Sequence, residues 1–470
     1  MAYGTSKARD AFTALNRFGL GSGPHHADRL NNDPRGALEA ELTVPNVASL
    51  GADFLLSSQE YLVQLAGYRR RLELARRQEA RLKAHQAMTP YVLPPAQSSF
   101  GPSPENLLYV NEIAARLTRY REAPLGLTER LVLFWSNHFS ISMKDGMIRM
   151  IAGAYEREAI RPHVLGRFSD MLKAVAQHPA MLLYLDNSAS VGANSLTGLR
   201  NERRGLNENL AREMLELHTL GANGGYSQTD VIALANMLTG WTISSADADG
   251  INGGRFTFAP ADHEPGDQKL LGRMFAEGGL EQGEAALDHL ASQPATARHV
   301  AFKLAKHFVA DTPPPVLVDR LAGCFQETDG DLGEVLRALI ASPEAWDEPA
   351  GKLRTPQEFL IAAARLTGRP DEAKMAINHL NAMGQPFWNA GSPQGFPDSA
   401  DQWLSPTGIN IRLEVADQIG RISLSDSPLD LLEAAFGSMV SSETRETVRR
   451  AESRHQAITL LLMSPEFQRR

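Results

Sequence analysis

Residues 129–142 read ERLVLFWSNHFSIS, and wound as an α-helix this run is apolar nearly all round. A helix that is apolar on every side has to be enclosed by the rest of the chain. His138 then falls between Leu131, Phe134 and Trp135, and a buried histidine must be hydrogen-bonded or coordinated. Enclosing such a helix takes many others, and the pattern supplies them. From Glu105 to Met237 the periodicity is almost wholly helical, with Thr128 the expected N-cap of the central helix and further helices at 155–164 and 166–177. Helices resume at 281–290, 295–310, 316–328 and 332–341, and two more close the chain. The runs ALIASPEAW (338–346) and TLLLMSPEF (459–467) predict two similar helix corners, each with Ser as N-cap and Pro at the first helical position.

Between these blocks three segments stand out. Residues 58–88 carry no Gly or Pro except Gly67 and predict one long charged helix. Its arginines, Arg69 to Arg81, are interspersed with Glu73 and Glu79, which favours a solvated face over a nucleic-acid arm. Residues 89–104 hold five prolines without periodicity and form a proline-rich loop. Residues 244–275 break the helical pattern. There RFTFA (255–259) alternates and is expected to pair with 268–271 across PADHEPGD. The fold class is therefore mainly α: a large single multi-helical domain over 1–470, with a small β-hairpin insertion near 255–272.

The 470 residues are 43% hydrophobic and 22% charged, proportions of a globular chain, with a net charge of −8 that argues against a whole-chain nucleic-acid binder. Cys324 is the one cysteine, so neither an intramolecular disulfide nor a cysteine-based metal centre can form, and any metal must come from the 13 His and the carboxylates. No run reaches the roughly 18 apolar residues of a membrane span. The N-terminus lacks the apolar core of an export signal, which gives a cytoplasmic expectation.

The densest polar cluster runs from Asp186 to Tyr226. Treated as a regular helix, 207–220 places Leu210, Met214 and Leu217 on a core stripe and gathers Asn209, Arg212, Glu213 and Glu216 on the far side. His218 lies about 160° from Glu216 and about 140° from Glu213, so one helix does not make a Glu–His metal pair. Two carboxylates on one face can divide acid and base roles, or simply face water. Asp186 and Asn187 end the apolar run MLLYL, a placement suited to a binding site or to capping. Arg130 and Asn137 share a face that could approach this loop. The resulting candidate pocket has His138, Asp186 and Glu213 as acid–base residues, with Trp135, Asn137, Asn187, Asn207, Arg212 and Glu216 in binding roles. His138, His218 and His263 are the candidate metal ligands. His263 sits beside Asp262, Glu264 and Asp267, where a divalent cation could bind, though a mobile acidic loop is the plainer reading. Residues 298–307 (RHVAFKLAKH) align His299, Lys303, Lys306 and His307 on one stripe. That stripe could hold an anionic substrate or partner, though a solvated face is again plainer. Walker, dinucleotide GxGxxG, GxSxG and HExxH motifs are missing.

The run NENLAREMLELHTLG followed by GGYSQTDVIALANMLTGW resembles the signature of the bacterial domain-of-unknown-function 1800 family. RLVLFWSNHFSIS, YEREAIRPHVLGRF, HPAMLLYLDN, ATARHVAFKLAKHFVAD and LLLMSPEFQRR resemble the same family, from about Arg17 to Arg470. The resemblance implies a large helical protein with no activity or cofactor assigned. It also points to an extracytoplasmic location and to a phosphatase- or sulfatase-like protein as partner, although this chain shows no export signal. Three functions are open to such a chain: a hydrolase-like enzyme using His/carboxylate acid–base chemistry on a polar or carbohydrate-like substrate; a non-catalytic assembly partner; and a metal-dependent oxidoreductase using His138.

Overall fold

The computed structural model describes residues 6–23, 30, 33–52, 54–86, 104–200, 204–244, 253–347, 351–368, 372–423 and 427–470. Leu127–His138 is the helix that the others enclose: Leu127, Leu131, Val132, Phe134, Trp135 and His138 are all buried. Its start is capped from a distance. Gly126 adopts φ 90°, and a Cβ there would lie 2.7 Å from the Leu20 side chain. The Glu41 carboxylate accepts the N–H groups of Leu125, Gly126 and Thr128 at 3.3, 3.2 and 2.9 Å. Thr128, the expected cap, thus lies within the first turn, because a carboxylate supplies both acceptors and a charge matched to the helix dipole.

Most predicted helices are present: Ser58–Gln86, Leu280–Ala291, Pro294–Phe308, Pro315–Glu327 and Leu332–Ala341. The segment expected as a helix over 155–164 is the continuation of Gly146–Tyr155 through a π-turn, Glu156–Ile160, and a 3-10 turn, Arg161–His163. Among the described residues two other π-turns occur, at Ala14–Phe18 and Met214–Thr219. The two Ser-Pro corners differ. Ser464 accepts the Phe467 N–H and starts helix Pro465–Gln468, whereas Ser342 donates to Ala338 and precedes only a 3-10 turn. Residues 89–103 lie outside the described residues.

The β elements correct the expected pairing. Strand β1 (Trp241–Ile243) pairs with β2 (Phe256–Phe258), and β3 (Gln268–Leu270) pairs with β4 (Arg273–Phe275), both antiparallel. The 255–259 and 268–271 segments therefore do not pair with each other. Leu271 and Gly272 take φ 49° and 82°, the two positive values of a tight two-residue hairpin turn, and Leu rarely advertises that conformation. PADHEPGD instead forms a 3-10 turn, Pro260–Asp262, and carries His263 inward.

One contiguous hydrophobic cluster runs from Phe12 to Phe467. Charge is embedded in it. Arg161 bonds both oxygens of Glu129 at 2.9 Å and Glu156 at 3.0 Å, and Arg116 bonds Glu156 at 2.9 Å. Glu156 also accepts from Ser136 and Trp388 at 3.0 Å. A second network joins Glu358 to Arg130 and, at 2.9 Å, to Arg470. Among the described residues no helix is long and apolar enough to cross a membrane.

Candidate functional site

Pro294–Phe308 begins with Pro at its first position and buries Ala297, Val300, Ala301, Leu304, Ala305 and Phe308. The remaining stripe, His299, Phe302, Lys303, Lys306 and His307, recurs at helical spacing and lines a cavity of about 680 Å³. The last turn of Leu127–His138 supplies a second wall through Phe134, Asn137 and His138. The third wall is the loop at 394–402, with Trp388 and Gln385 before it. That loop is pinned by Asn137, which donates to the Phe396 carbonyl at 2.9 Å and accepts the Phe396 N–H at 2.7 Å. Gly395 passes so close that a Cβ would sit 2.4 Å from the Asn137 carbonyl oxygen, and its φ is 82°. Further along, Asp311 accepts the Ala400 N–H at 2.9 Å, and Lys352 donates to Asp311 at 2.9 Å and to the Asp398 carbonyl at 2.6 Å.

The pinned loop delivers Asp398 to His307. Asp398 Oδ2 lies 3.1 Å from His307 Nδ1, and Lys352 Nζ lies 3.2 Å from Asp398 Oδ1. Burial opposes ionisation of Asp398, yet His307 and Lys352 hold its carboxyl well below the ordinary range. Burial keeps His307 below its ordinary value although Asp398 pulls the other way. A neutral imidazole beside a carboxylate carries its proton on Nδ1, which leaves Nε2 with a lone pair. Nε2 has no hydrogen-bond partner among the described residues. The Arg470 guanidinium donates to the His307 carbonyl at 2.8 Å and fixes the backbone beneath the ring.

Two more histidines, His138 and His299, line the cavity, and His218 packs against His138. The His138 ring centroid lies 6.1 Å from those of both His218 and His299. His138 uses Nε2 on the His218 carbonyl at 3.1 Å, leaving Nδ1 without a partner, and both ring nitrogens of His218 are buried without partners among the described residues. His299 reaches the Leu217 carbonyl at 3.1 Å. The π-turn Met214–Thr219 sets this up, since a π-turn widens the helix and rotates the residues after it away from α register. Burial, followed by Lys303, pushes His138 well down, His218 to about 3 and His299 to about 4. Lys303 itself is pushed down to about 8 by burial, partly offset by Asp398 and reinforced by Lys306.

The residues singled out from sequence divide between two places. Asn137 and His138 line the cavity, whereas Asp186, Asn187, Asn207, Arg212, Glu213 and Glu216 are not among its lining residues. Asp186 is exposed and pairs with Lys144 at 2.8 Å, and its carbonyl accepts from Asn207 at 3.4 Å. Asn187 is buried and donates to the Leu238 and Trp241 carbonyls at 3.1 Å. Arg212 bonds Glu208 at 2.8 Å and Gln228 at 3.1 Å, and Glu216 accepts from Tyr226 at 3.4 Å. Glu213 is half-buried and its pKa is raised, by burial and then by Glu216. Trp135 is fully buried against His138, Phe139 and Phe168. Arg130 turns away from the Asp186 loop toward Glu358 and the carbonyls of Gly19 and Asn16.

His263 is buried with Nδ1 on the Thr239 carbonyl at 2.9 Å. Its acidic neighbours are already engaged: Asp262 with Arg204 at 3.3 Å, Glu264 with the Asn194 N–H at 2.8 Å, and Asp267 with the Glu277 N–H at 3.0 Å. Among the described residues no group of three or more His, Cys, Asp or Glu is arranged to hold a metal ion.

The 298–307 stripe was visible by its periodicity, with anion binding weighed against a solvated face, but the pairing of His307 was not. The missing half, Asp398, comes about 90 residues later in a loop with no period to read. No curated protein and no solved structure matches the chain. The model of the family described as "Protein of unknown function (DUF1800)" matches residues 13–469, and the chain belongs to that family.

Proposed function

We propose that the chain is a hydrolase-like enzyme whose acid–base centre is His307 with Asp398, acting on a polar or carbohydrate-like substrate held in the cavity. The observation that carries this reading is an imidazole lining the cavity whose Nδ1 lies 3.1 Å from a carboxylate while Nε2 is buried without a partner among the described residues. That is the arrangement a general base requires: the carboxylate sets the tautomer and stabilises the imidazolium formed when Nε2 takes a proton. Water would be the nucleophile, with its proton passing to Nε2 and then to the leaving group. Phe302, Phe396 and Trp388 offer apolar faces to a sugar-like ring, and Gln385, Gln394 and Gln402 offer polar contacts. His138 and Asn137 enter the reading as wall residues.

The test is a panel of chromogenic esters, glycosides, phosphate esters and sulfate esters. Turnover of at least one is expected, falling at least about 100-fold in His307→Asn and in Asp398→Asn, as for loss of a general base. Circular dichroism spectra should be unchanged. Full turnover by both variants would overturn the assignment.

A non-catalytic assembly role rests on a different feature, the Ser58–Gln86 helix, where Leu74 and Leu82 are each 55% exposed. Copurification of a stoichiometric protein from native cells that is lost on Leu74→Glu would support it; its absence would argue against it.

A further inference from the structure

The cavity and its surroundings carry cations of two kinds. Arg116 on the wall, and Lys352 and Arg470 bonded to the wall residues Asp398 and Glu358, are each matched by a carboxylate: Glu156, Asp311 with Asp398, and Glu358. Lys303 and Lys306 differ, since among the described residues neither side chain has an ion pair or hydrogen bond. Both lie on the cavity stripe one turn apart, and Lys306 adds to the cost of charging Lys303. Lys303 is also surrounded by neutral histidines, His138, His218 and His299, none of which can compensate it. The acidic groups on the wall are Asp398, shared by His307 and Lys352; Glu358, shared by Arg130 and Arg470; and Asp401, which accepts from Gln402 at 2.8 Å. Asp398 offsets the cost of charging Lys303 only in part, and a half-buried ammonium short of counter-charge is costly unless something else supplies it.

We infer that Lys303 and Lys306 form an oxyanion subsite, so that the substrate is a polar molecule carrying a carboxylate, sulfate or phosphate group. This rests on the cavity being the substrate site, as proposed above. Two ammonium groups one helical turn apart can share the oxygens of one anionic group, and charge-assisted hydrogen bonds of this kind are the stronger ones. Gln394 and Ser399 on the facing loop can complete the cage with neutral contacts. The bound anion would also raise the Lys303 pKa from its depressed value of about 8, so binding should weaken as pH rises through that value.

The experiment is calorimetric titration of the full chain with inorganic sulfate, inorganic phosphate and glucuronate, near neutral pH and at low ionic strength. Saturable binding of at least one is expected, at least about 10-fold weaker in Lys303→Met and weaker by a smaller factor in Lys306→Met, while Lys303→Arg restores part of it. Preference for sulfate or phosphate would assign a tetrahedral ester group, and preference for glucuronate a carboxylate; either supports the subsite. Lack of saturable binding by all three, or unchanged binding in a folded Lys303→Met, would overturn it. His307→Asn separates the two claims. Anion binding retained with no turnover in any variant or in the parent would sink only the acid–base reading, and turnover without anion binding would sink only the subsite.

Discussion

The Leu127–His138 helix carries a polar cluster at each end, and the two are built on opposite principles. At its first turn Glu129 meets Arg161, which also meets Glu156, which meets Arg116. Here each buried carboxylate faces a guanidinium, and hydrogen bonds from Trp388 and, further along the helix, Ser136 occupy further lone pairs. At its last turn His138 meets His218 and His299, with Lys303 and His307 beyond. Here, among the described residues, ring nitrogens of His138, His218 and His307 are left without partners, and two lysines have no ion pair. A closed network of the first kind fixes packing. An open one of the second kind lowers stability, and such sites persist where a ligand completes them.

The largest effect should come from breaking the closed end. Arg161→Met leaves Glu129 and Glu156 buried with too few partners and is expected to cost about 3–5 kcal/mol, read by denaturant unfolding. An effect below about 1 kcal/mol would mean that this cluster is not the structural half of the pair.

The open end should respond to acid. The three rings of His138, His218 and His299 titrate below the ordinary 6.5 when folded, at about 3 for His218 and about 4 for His299. Between those values and 6.5 the unfolded chain binds more protons, so stability is present above 6.5 and is lost as pH falls through the window. Each ring contributes a slope of about 1.4 kcal/mol per pH unit once fully engaged. His218→Phe should remove one such contribution, and the difference between parent and variant isolates it from the carboxylates. Parallel pH profiles for the two would show that His218 is already charged or solvated.

Smaller still is the effect expected of Lys303→Met on stability. Removing an unpaired, half-buried charge should leave the protein unchanged or stabilise it by about 1 kcal/mol, in contrast to Arg161→Met. Marked destabilisation would show that Lys303 is paired after all. Asn137→Ala tests the pin between helix and loop. It should cost about 1–2 kcal/mol through its two lost hydrogen bonds and raise KM more than it lowers kcat.

How much of this was legible from the residues depends on the range over which each feature is encoded. Local periodicity and capping carried the helical fold, down to Leu332–Ala341. Long-range partners defeated it: Glu41 displaced Thr128 as cap of the central helix, and β1 displaced β3 as partner of β2. The π-turn at Met214–Thr219 leaves no mark in a pattern read at α spacing, yet it brings His218 to His138. Of the acid–base set expected from sequence, His138 lines the cavity and Asp186 and Glu213 do not. The 298–307 stripe was visible, but a cationic stripe reads the same whether water or a loop covers it. The cover here, residues 394–402, lies too far along the chain to be inferred from periodicity.

A His307 that serves as general base is kept for chemistry and not for packing. The most direct measurement is the unfolding free energy of His307→Asn, taken beside its turnover of whichever panel substrate the parent hydrolyses. Asn retains a donor at the Nδ1 position and can keep the bond to Asp398. The predicted result is stability within about 1 kcal/mol of the parent, with turnover reduced at least about 100-fold. A variant that loses several kcal/mol, or that is as stable and as active as the parent, would contradict the account.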